Sequence, residues 1–344
     1  MMTGGTSQSP AGRPVLQRWL AGARDDHPLR VLEAAAHTNA AVPAAFDALE
    51  AMAAALDQAA GSDPRWLTKT REFTRLRSMS QLLEMRAEFA LALALTGAEV
   101  GYQLGDTKVA NPDILLTDSD VVYAGVEVTA RAPQSINEVV ERVEAEAAVS
   151  GGGFDVALTF SRYPSRLRSP VADEVAAAVR AQADALSTGV QAATEVVPVQ
   201  DPKNAGQVDI IVQVSPGTGA VGWDVTAGTL TSPLEAAAYA AFEAGRGDQK
   251  AAQARSLDGS PVLLAVDVSR YGAAWMRPGR VWAGQLAASQ HFTPDYPFAA
   301  IAVLLQSLDQ PGLLDIGVGI SPHLPAADRQ ILLDLCSTLG WPCE

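Results

Sequence analysis

Between residues 78 and 131 the apolar residues change their spacing, and that change constrains what the chain can build. Leu82, Met85, Phe89 and Leu93 recur at helical intervals, and Gly97 supplies a stop, so a helix is expected over 78–96. After it the apolar residues fall into short runs, 100–104, 113–116 and 121–129. The last two are joined by the polar turn Thr117-Asp118-Ser119-Asp120. Another helix is expected at 135–149, with Ser135 and Glu138 as a capping box and Ile136, Val139, Val140 and Val143 on its apolar face. A strand at 155–160 follows the glycines at 151–153. An α-β-β-β-α-β order of this kind predicts the α/β class, with a mixed sheet flanked by helices.

The same stretch carries three acids in register with those elements. Glu88 lies on the helix, with Glu84 one turn away on the same face. Asp113 follows Pro112 at a strand start, and Glu127 lies on the next strand. Hairpin pairing lets Asp113 and Glu127 approach each other, and Gly125 would permit a bulge that re-aims Glu127. Glu127 and Thr129 share a face by the period of two. Two converging carboxylates suit a hard cation such as Mg²⁺, which takes one or two protein carboxylates and keeps several waters. Each acid also has a plain structural use: Asp113 as a turn cap, Glu127 as a surface partner of Arg131, Glu88 as a solvated helix residue.

Pro112-Asp113-Ile114 followed by Val126-Glu127-Val128, with Glu88 on the preceding helix, resembles the PD-(D/E)XK nuclease superfamily, the restriction-endonuclease-like fold. The resemblance covers about 70–162. It implies that Asp113 and Glu127 bind Mg²⁺ (or Mn²⁺), with the Val128 carbonyl as a further ligand and Glu88 assisting. It also implies phosphodiester hydrolysis, of DNA first of all, in a setting such as bacterial defence or a mobile element. The family's lysine falls at position 129, where this chain has Thr129. Thr cannot carry the positive charge that orients water. Lys108, or Arg131, would then have to reach the site, or Thr129 and the metal would have to suffice. The alternative is a catalytically inactive member of the fold that serves in binding or assembly.

Basic residues are sparse in this acidic chain, whose 344 residues carry a formal charge of −14. That excludes a broad basic surface but not a local one. Lys69, Arg71, Arg75 and Arg77 form the most basic stretch, and Arg162, Arg166 and Arg168 a second cluster. Both are candidate phosphate contacts, or solvated faces. Gln134 reads as a turn or capping residue, with support of the site as the alternative that the resemblance offers, and Arg142 stays open between roles.

Other signals carry less. Gly217 to Gly222 spells GxGxxG, but no helix follows, so a Gly-rich hairpin is expected and not a nucleotide site. Asp267 ends an apolar strand, where it caps the next loop or faces Gln249 and Lys250. His27, His37, His291 and His323 lack zinc spacing, and Cys336 and Cys343 lack metal-ligand spacing.

The chain reads as a loose tail at 1–13, a helical segment at 14–64, the nuclease-like core at 65–165 and a C-terminal α/β portion at 166–344. That portion either extends the sheet or forms a second domain. Its expected elements include helices at 170–187, 232–254 and 325–338 and strands at 192–199, 207–214, 221–226, 262–268 and 314–318. Residues 299–305 suit either strand or helix. Hydrophobic residues make up 48%, enough for a real core. The longest apolar runs, 89–95 and 297–305, fall short of a membrane span. A cytoplasmic protein without membrane contact is expected, with nucleic acid as partner and a protein partner or homodimer left open.

Overall fold

The computed structural model describes residues 13–35, 41–61, 63–105, 111–131, 134–149, 153–161, 164, 167, 169–189, 194–201, 206–217, 221–225, 233–257, 259–271 and 278–344. The chain divides into two compact units. One comprises 1–131, 240–269 and 275–344, the other 132–239 and 270–274.

The first unit opens with helices α1 (Pro14–Leu20), α2 (Pro28–Ala35), α3 (Ala41–Ala60), α4 (Pro64–Phe73) and α5 (Met79–Gly97). Local sequence sets their ends. The Asp63 carboxylate accepts the Arg65 amide at 2.8 Å, with Pro64 in the first turn of α4. The Ser78 hydroxyl accepts the Gln81 amide at 3.3 Å and starts α5. Trp19, Trp66, Phe73 and Phe89 lock α1, α4 and α5 together, with ring centroids 5.2–5.7 Å apart between Trp19 and each of the other three.

Strands β1 (Tyr102–Leu104), β2 (Ile114–Asp118) and β3 (Val121–Ala130) follow as an antiparallel meander. The β2–β3 turn is tighter than the polar run suggests. Asp118 pairs with Val121, and Ser119 and Asp120 both have positive φ, 48° and 69°. That is the left-handed two-residue turn whose twist matches a hairpin, and Asp is among the residues that tolerate it. The register shift in this hairpin lies between Leu116 and Thr117, not at Gly125. Gly125 has another reason to lack a side chain. A Cβ there would stand 2.7 Å from Leu257 and 2.9 Å from Pro112.

The second unit holds α6 (Gln134–Val149), β4 (Phe154–Phe160), α7 (Ser169–Ser187), β5 (Glu195–Asp201), β6 (Gly206–Pro216) and β7 (Val221–Val225). Its sheet has the order β5-β6-β4-β7, with β7 parallel to β4. Because β4 lies between β6 and β7, the glycine run at 217–222 joins non-neighbours and is not a hairpin. Ser135 lies inside α6, not at its cap, and its hydroxyl accepts the Leu167 amide at 3.2 Å.

The chain then returns through α8 (Pro233–Ala244) and α9 (Asp248–Arg255) to β8 (Val262–Asp267), α10 (Gly279–Ala287), β9 (Ala300–Leu305), β10 (Asp315–Ile320) and α11 (Ala326–Leu339). The helix expected over 232–254 is thus two helices, broken where Gly245 and Gly247 interrupt it. The first sheet has the order β1-β2-β3-β8-β9-β10. β8 runs parallel to both β3 and β9, and β10 is antiparallel to β9. Every residue of β8 and β9 is buried, as in strands covered on both faces.

Two extents read from the sequence therefore change. The unit boundary after Arg131 cuts the expected 65–165 core, because α6 and β4 belong to the second unit. The strand beside β3 is β8, reached through α9. The C-terminal portion does both things left open for it: part forms the second unit and part extends the first sheet. Among the described residues, no helix is long and apolar enough to cross a membrane.

Candidate active site

Register places the acids. Ile114 pairs with Val126 in the antiparallel hairpin, so Asp113, one residue before β2, falls opposite Glu127. The Asp113 carboxylate accepts the Val128 amide at 2.9 Å, which fixes it against β3. Val126 and Val128 pack into the first unit's core with α5 residues. Glu127 and Thr129 alternate to the other face.

Helix α9 lies over that face. Its Lys250 ammonium is hydrogen-bonded to Glu127 Oε1, donates to the Val128 carbonyl at 3.2 Å, and stands 3.9 Å from Glu84. Gln253, one turn on, donates to the Asn111 carbonyl at 3.3 Å, just before Pro112-Asp113. On the other side, α4 delivers Lys69. Trp66, Lys69 and Phe73 are spaced three and four apart and share the buried face of that helix. The Lys69 ammonium lies 3.0 and 2.9 Å from the two oxygens of Glu88, 3.6 Å from Glu72 and 3.8 Å from Asp113.

These side chains line one cleft of about 510 Å³, with Met85, Gln81 and Pro112 among its walls. Five carboxylates (Glu72, Glu84, Glu88, Asp113, Glu127) face two lysines there. The charge excess and the burial show in the titration of the acids. Burial, with Asp113 beside it, pushes the Glu127 carboxyl up to about 8 against the pull of Lys250. Burial pushes Glu88 up to about 7 against the pull of Lys69. Burial opposes charge on both lysines too. Glu88 and Asp113 outweigh it at Lys69, Glu127 and Asp113 at Lys250, and both pKa values rise. Both lysines are therefore fixed cations at neutral pH, not bases.

Among the described residues, no three His, Cys, Asp or Glu side chains are gathered as metal ligands. The pair Asp113 and Glu127 still fits a hard cation. Glu127 is fully buried and its Oε2 has no hydrogen-bond partner. A buried carboxylate oxygen left bare is costly, and a cation offsets that cost. Two carboxylates are a full protein share for Mg²⁺, which keeps its waters.

The other sequence candidates separate clearly. Thr129 is buried, and its hydroxyl accepts from the Arg131 guanidinium at 3.2 Å, so Arg131 turns to Thr129 and the Ala130 carbonyl and not to the acids. Lys69 is an interior ion-pair residue and cannot lie on phosphate from the surface. Arg71, Arg75 and Arg77 are exposed on the segment that supplies Lys69, Glu72, Leu76 and Gln81 to the cleft. The Val128 carbonyl is held by Lys250. Lys108, Arg162, Arg166, Arg168 and the side chain of Gln134 lie outside the described residues. Arg142 pairs with Asp173 at 2.8 Å within the second unit. Asp267 faces Ser269 and Gln306, with Arg86 bonded to Gln306, and does not meet Lys250.

Lys250 is the residue that sequence reasoning misplaced. One signal could have found it. The chain has only four lysines, Lys69, Lys108, Lys203 and Lys250, and two of them stand among the acids. Compared with family models, with curated proteins and with solved structures, the chain matches none of them.

Proposed function

We propose that the protein is a divalent-metal-dependent nuclease, with DNA as the substrate class that the resemblance to PD-(D/E)XK enzymes favours. The observation that carries this reading is Lys250. Thr129 withholds a cation from the strand, and α9 supplies one to the same carboxylate from a different place in the chain. The meander β1-β2-β3, the parallel β8 beside it and α5 bearing Glu88 support the same reading.

In this reading Asp113 and the free Oε2 of Glu127 would hold the metal ion, which would supply charge stabilisation for the phosphodiester and acidity for the attacking water, while the Val128 carbonyl stays with Lys250. Asp113 is oriented by the Val128 amide, so its carboxylate is fixed before substrate arrives. Lys250 stays protonated and can donate to a water between Glu127 and the scissile phosphate, or to a phosphate oxygen as negative charge builds. Arg71, Arg75 and Arg77 offer exposed charge near the cleft for the rest of the strand.

The test is cleavage of plasmid, single-stranded DNA and RNA in Mg²⁺ or Mn²⁺ by wild type, Asp113→Ala and Lys250→Met. Wild type should cut, Asp113→Ala should be inactive, and Lys250→Met should be slower by about 10²–10³ fold. Equal cleavage by wild type and Asp113→Ala would overturn the reading. Cleavage by none of them would favour the inactive binding or assembly protein.

A further inference from the structure

We infer that Lys69 is a built-in cation occupying the half of the acid cluster that a second metal ion would take. The protein then binds one divalent ion per chain, through Asp113 and Glu127 and without Glu88. This rests on the metal-site reading above and deepens it.

The geometry around Lys69 is that of a liganded cation. Its ammonium touches both oxygens of Glu88, at 2.9 and 3.0 Å, with Glu72 at 3.6 Å and Asp113 at 3.8 Å. In two-metal sites the ions stand about 3.5–4 Å apart and clamp the attacking and leaving oxygens between them. Asp113 stands at the middle of this cluster. Its Oδ1 faces Lys69, while its Oδ2 takes the amide next to Glu127. Glu88 Oε1 and Glu127 Oε2 both lack a hydrogen bond, but the Lys69 ammonium stands 2.9 Å from the first, so Lys69 fills the Glu88 side and Glu127 Oε2 remains on the other.

Lys69 is also not free to swing away. It rises from the buried face of α4 that it shares with Trp66 and Phe73, and its side chain is only 5% exposed. A divalent ion at Glu88 would have to share that space with an enclosed ammonium that repels it, whereas Lys250, with its side chain 21% exposed, has room to move off Glu127. Glu88 is thus a partner of Lys69, where the family resemblance made it an assistant of the metal.

The experiment counts bound Mn²⁺ by calorimetric titration and by electron paramagnetic resonance, with no substrate and no turnover. Wild type should bind one Mn²⁺ per chain with an uncoupled signal. Lys69→Met should bind two, with spin coupling between them. Two ions on wild type, or one on Lys69→Met, would overturn the inference and leave the metal site standing. No Mn²⁺ on wild type would instead overturn the metal site itself. Should Lys69→Met fail to fold, the double variant Lys69→Met/Glu88→Gln removes both charges together. It should bind one ion within about threefold of wild-type affinity, and a loss above tenfold would make Glu88 a ligand and sink the inference.

Discussion

At the scale of single residues, the acids were legible and their cations were not. Asp113, Glu127 and Glu88 announce themselves by local spacing, because hairpin register and helix period are local properties. Lys250 approaches Glu127 only after the whole second unit has been looped out. Lys69 was misread for a different reason. It sits in a run of arginines, yet its neighbours at three and four residues are Trp66 and Phe73, and that stripe places it inside. Buried ionisable residues elsewhere make a prediction of their own. His27 is fully buried, with Nε2 2.8 Å from the Phe73 carbonyl and Nδ1 accepting the Leu29 amide. Nε2 therefore carries the proton and the ring is neutral. Burial lowers its pKa below the ordinary 6.5, only partly offset by the Phe73 carbonyl. A group whose folded pKa is depressed binds more protons unfolded, so its contribution to stability is complete above about pH 6.5 and declines as the pH falls below it. The stability advantage of wild type over His27→Gln, measured by urea unfolding, should therefore shrink between pH 7 and pH 5. An advantage constant across that range would contradict the neutral ring.

At the scale of elements, most helices and strands follow from their own patterns. β8 and the hairpin are read from apolar runs, α5 from its stripe and α11 from its periodicity, with Gly340 at φ 66° closing it. What local pattern missed is set by contact between elements. α10 has no strong signal, yet it packs directly on β10 through glycines. A Cβ on Gly317 would lie 2.2 Å from the Gly279 carbonyl oxygen, and one on Gly319 would lie 2.4 Å from Leu286. Such backbone-to-backbone approach leaves no flexible neighbour to yield. Gly317→Ala should cost about 1–3 kcal/mol in unfolding free energy, the range of overpacked cores. Gly222 on β7 is exposed, with nothing within 4 Å of a Cβ, so Gly222→Ala should stay within about 0.5 kcal/mol of wild type. Denaturant titration of the pair checks the claim, and equal midpoints for the two variants would refute it. The break between α8 and α9 belongs to the same class. A Cβ on Gly245 would stand 2.4 Å from the Tyr296 hydroxyl, so a contact distant in sequence ends one helix and frees α9 to carry Lys250 to β3.

At the scale of the whole chain, the difficulty was deciding which α-β pair completes the sheet begun by the hairpin. Both α6-β4 and α9-β8 are helix-then-strand pairs of suitable length, and sequence adjacency favours the first. Burial distinguishes them. β8 is buried at all six positions and apolar at the first five, as a central strand covered on both faces requires, whereas β4 alternates buried and more exposed residues, as a strand with one covered face does. That contrast is visible in Val-Leu-Leu-Ala-Val against Phe-Asp-Val-Ala-Leu-Thr-Phe, and it was the available clue that the intervening segment is an insertion. The insertion has its own core. Every buried member of that core lies between Ile136 and Val214, and none is shared with the core of the first unit. A span of about a hundred residues with an independent core is within the ordinary size of a folding unit. Residues 132–239 expressed alone should therefore fold, with a cooperative thermal transition and dispersed amide proton shifts. A fragment with random-coil spectra would show that the segment needs the rest of the chain, and the first unit would then have to be viewed as its template and not merely as its host.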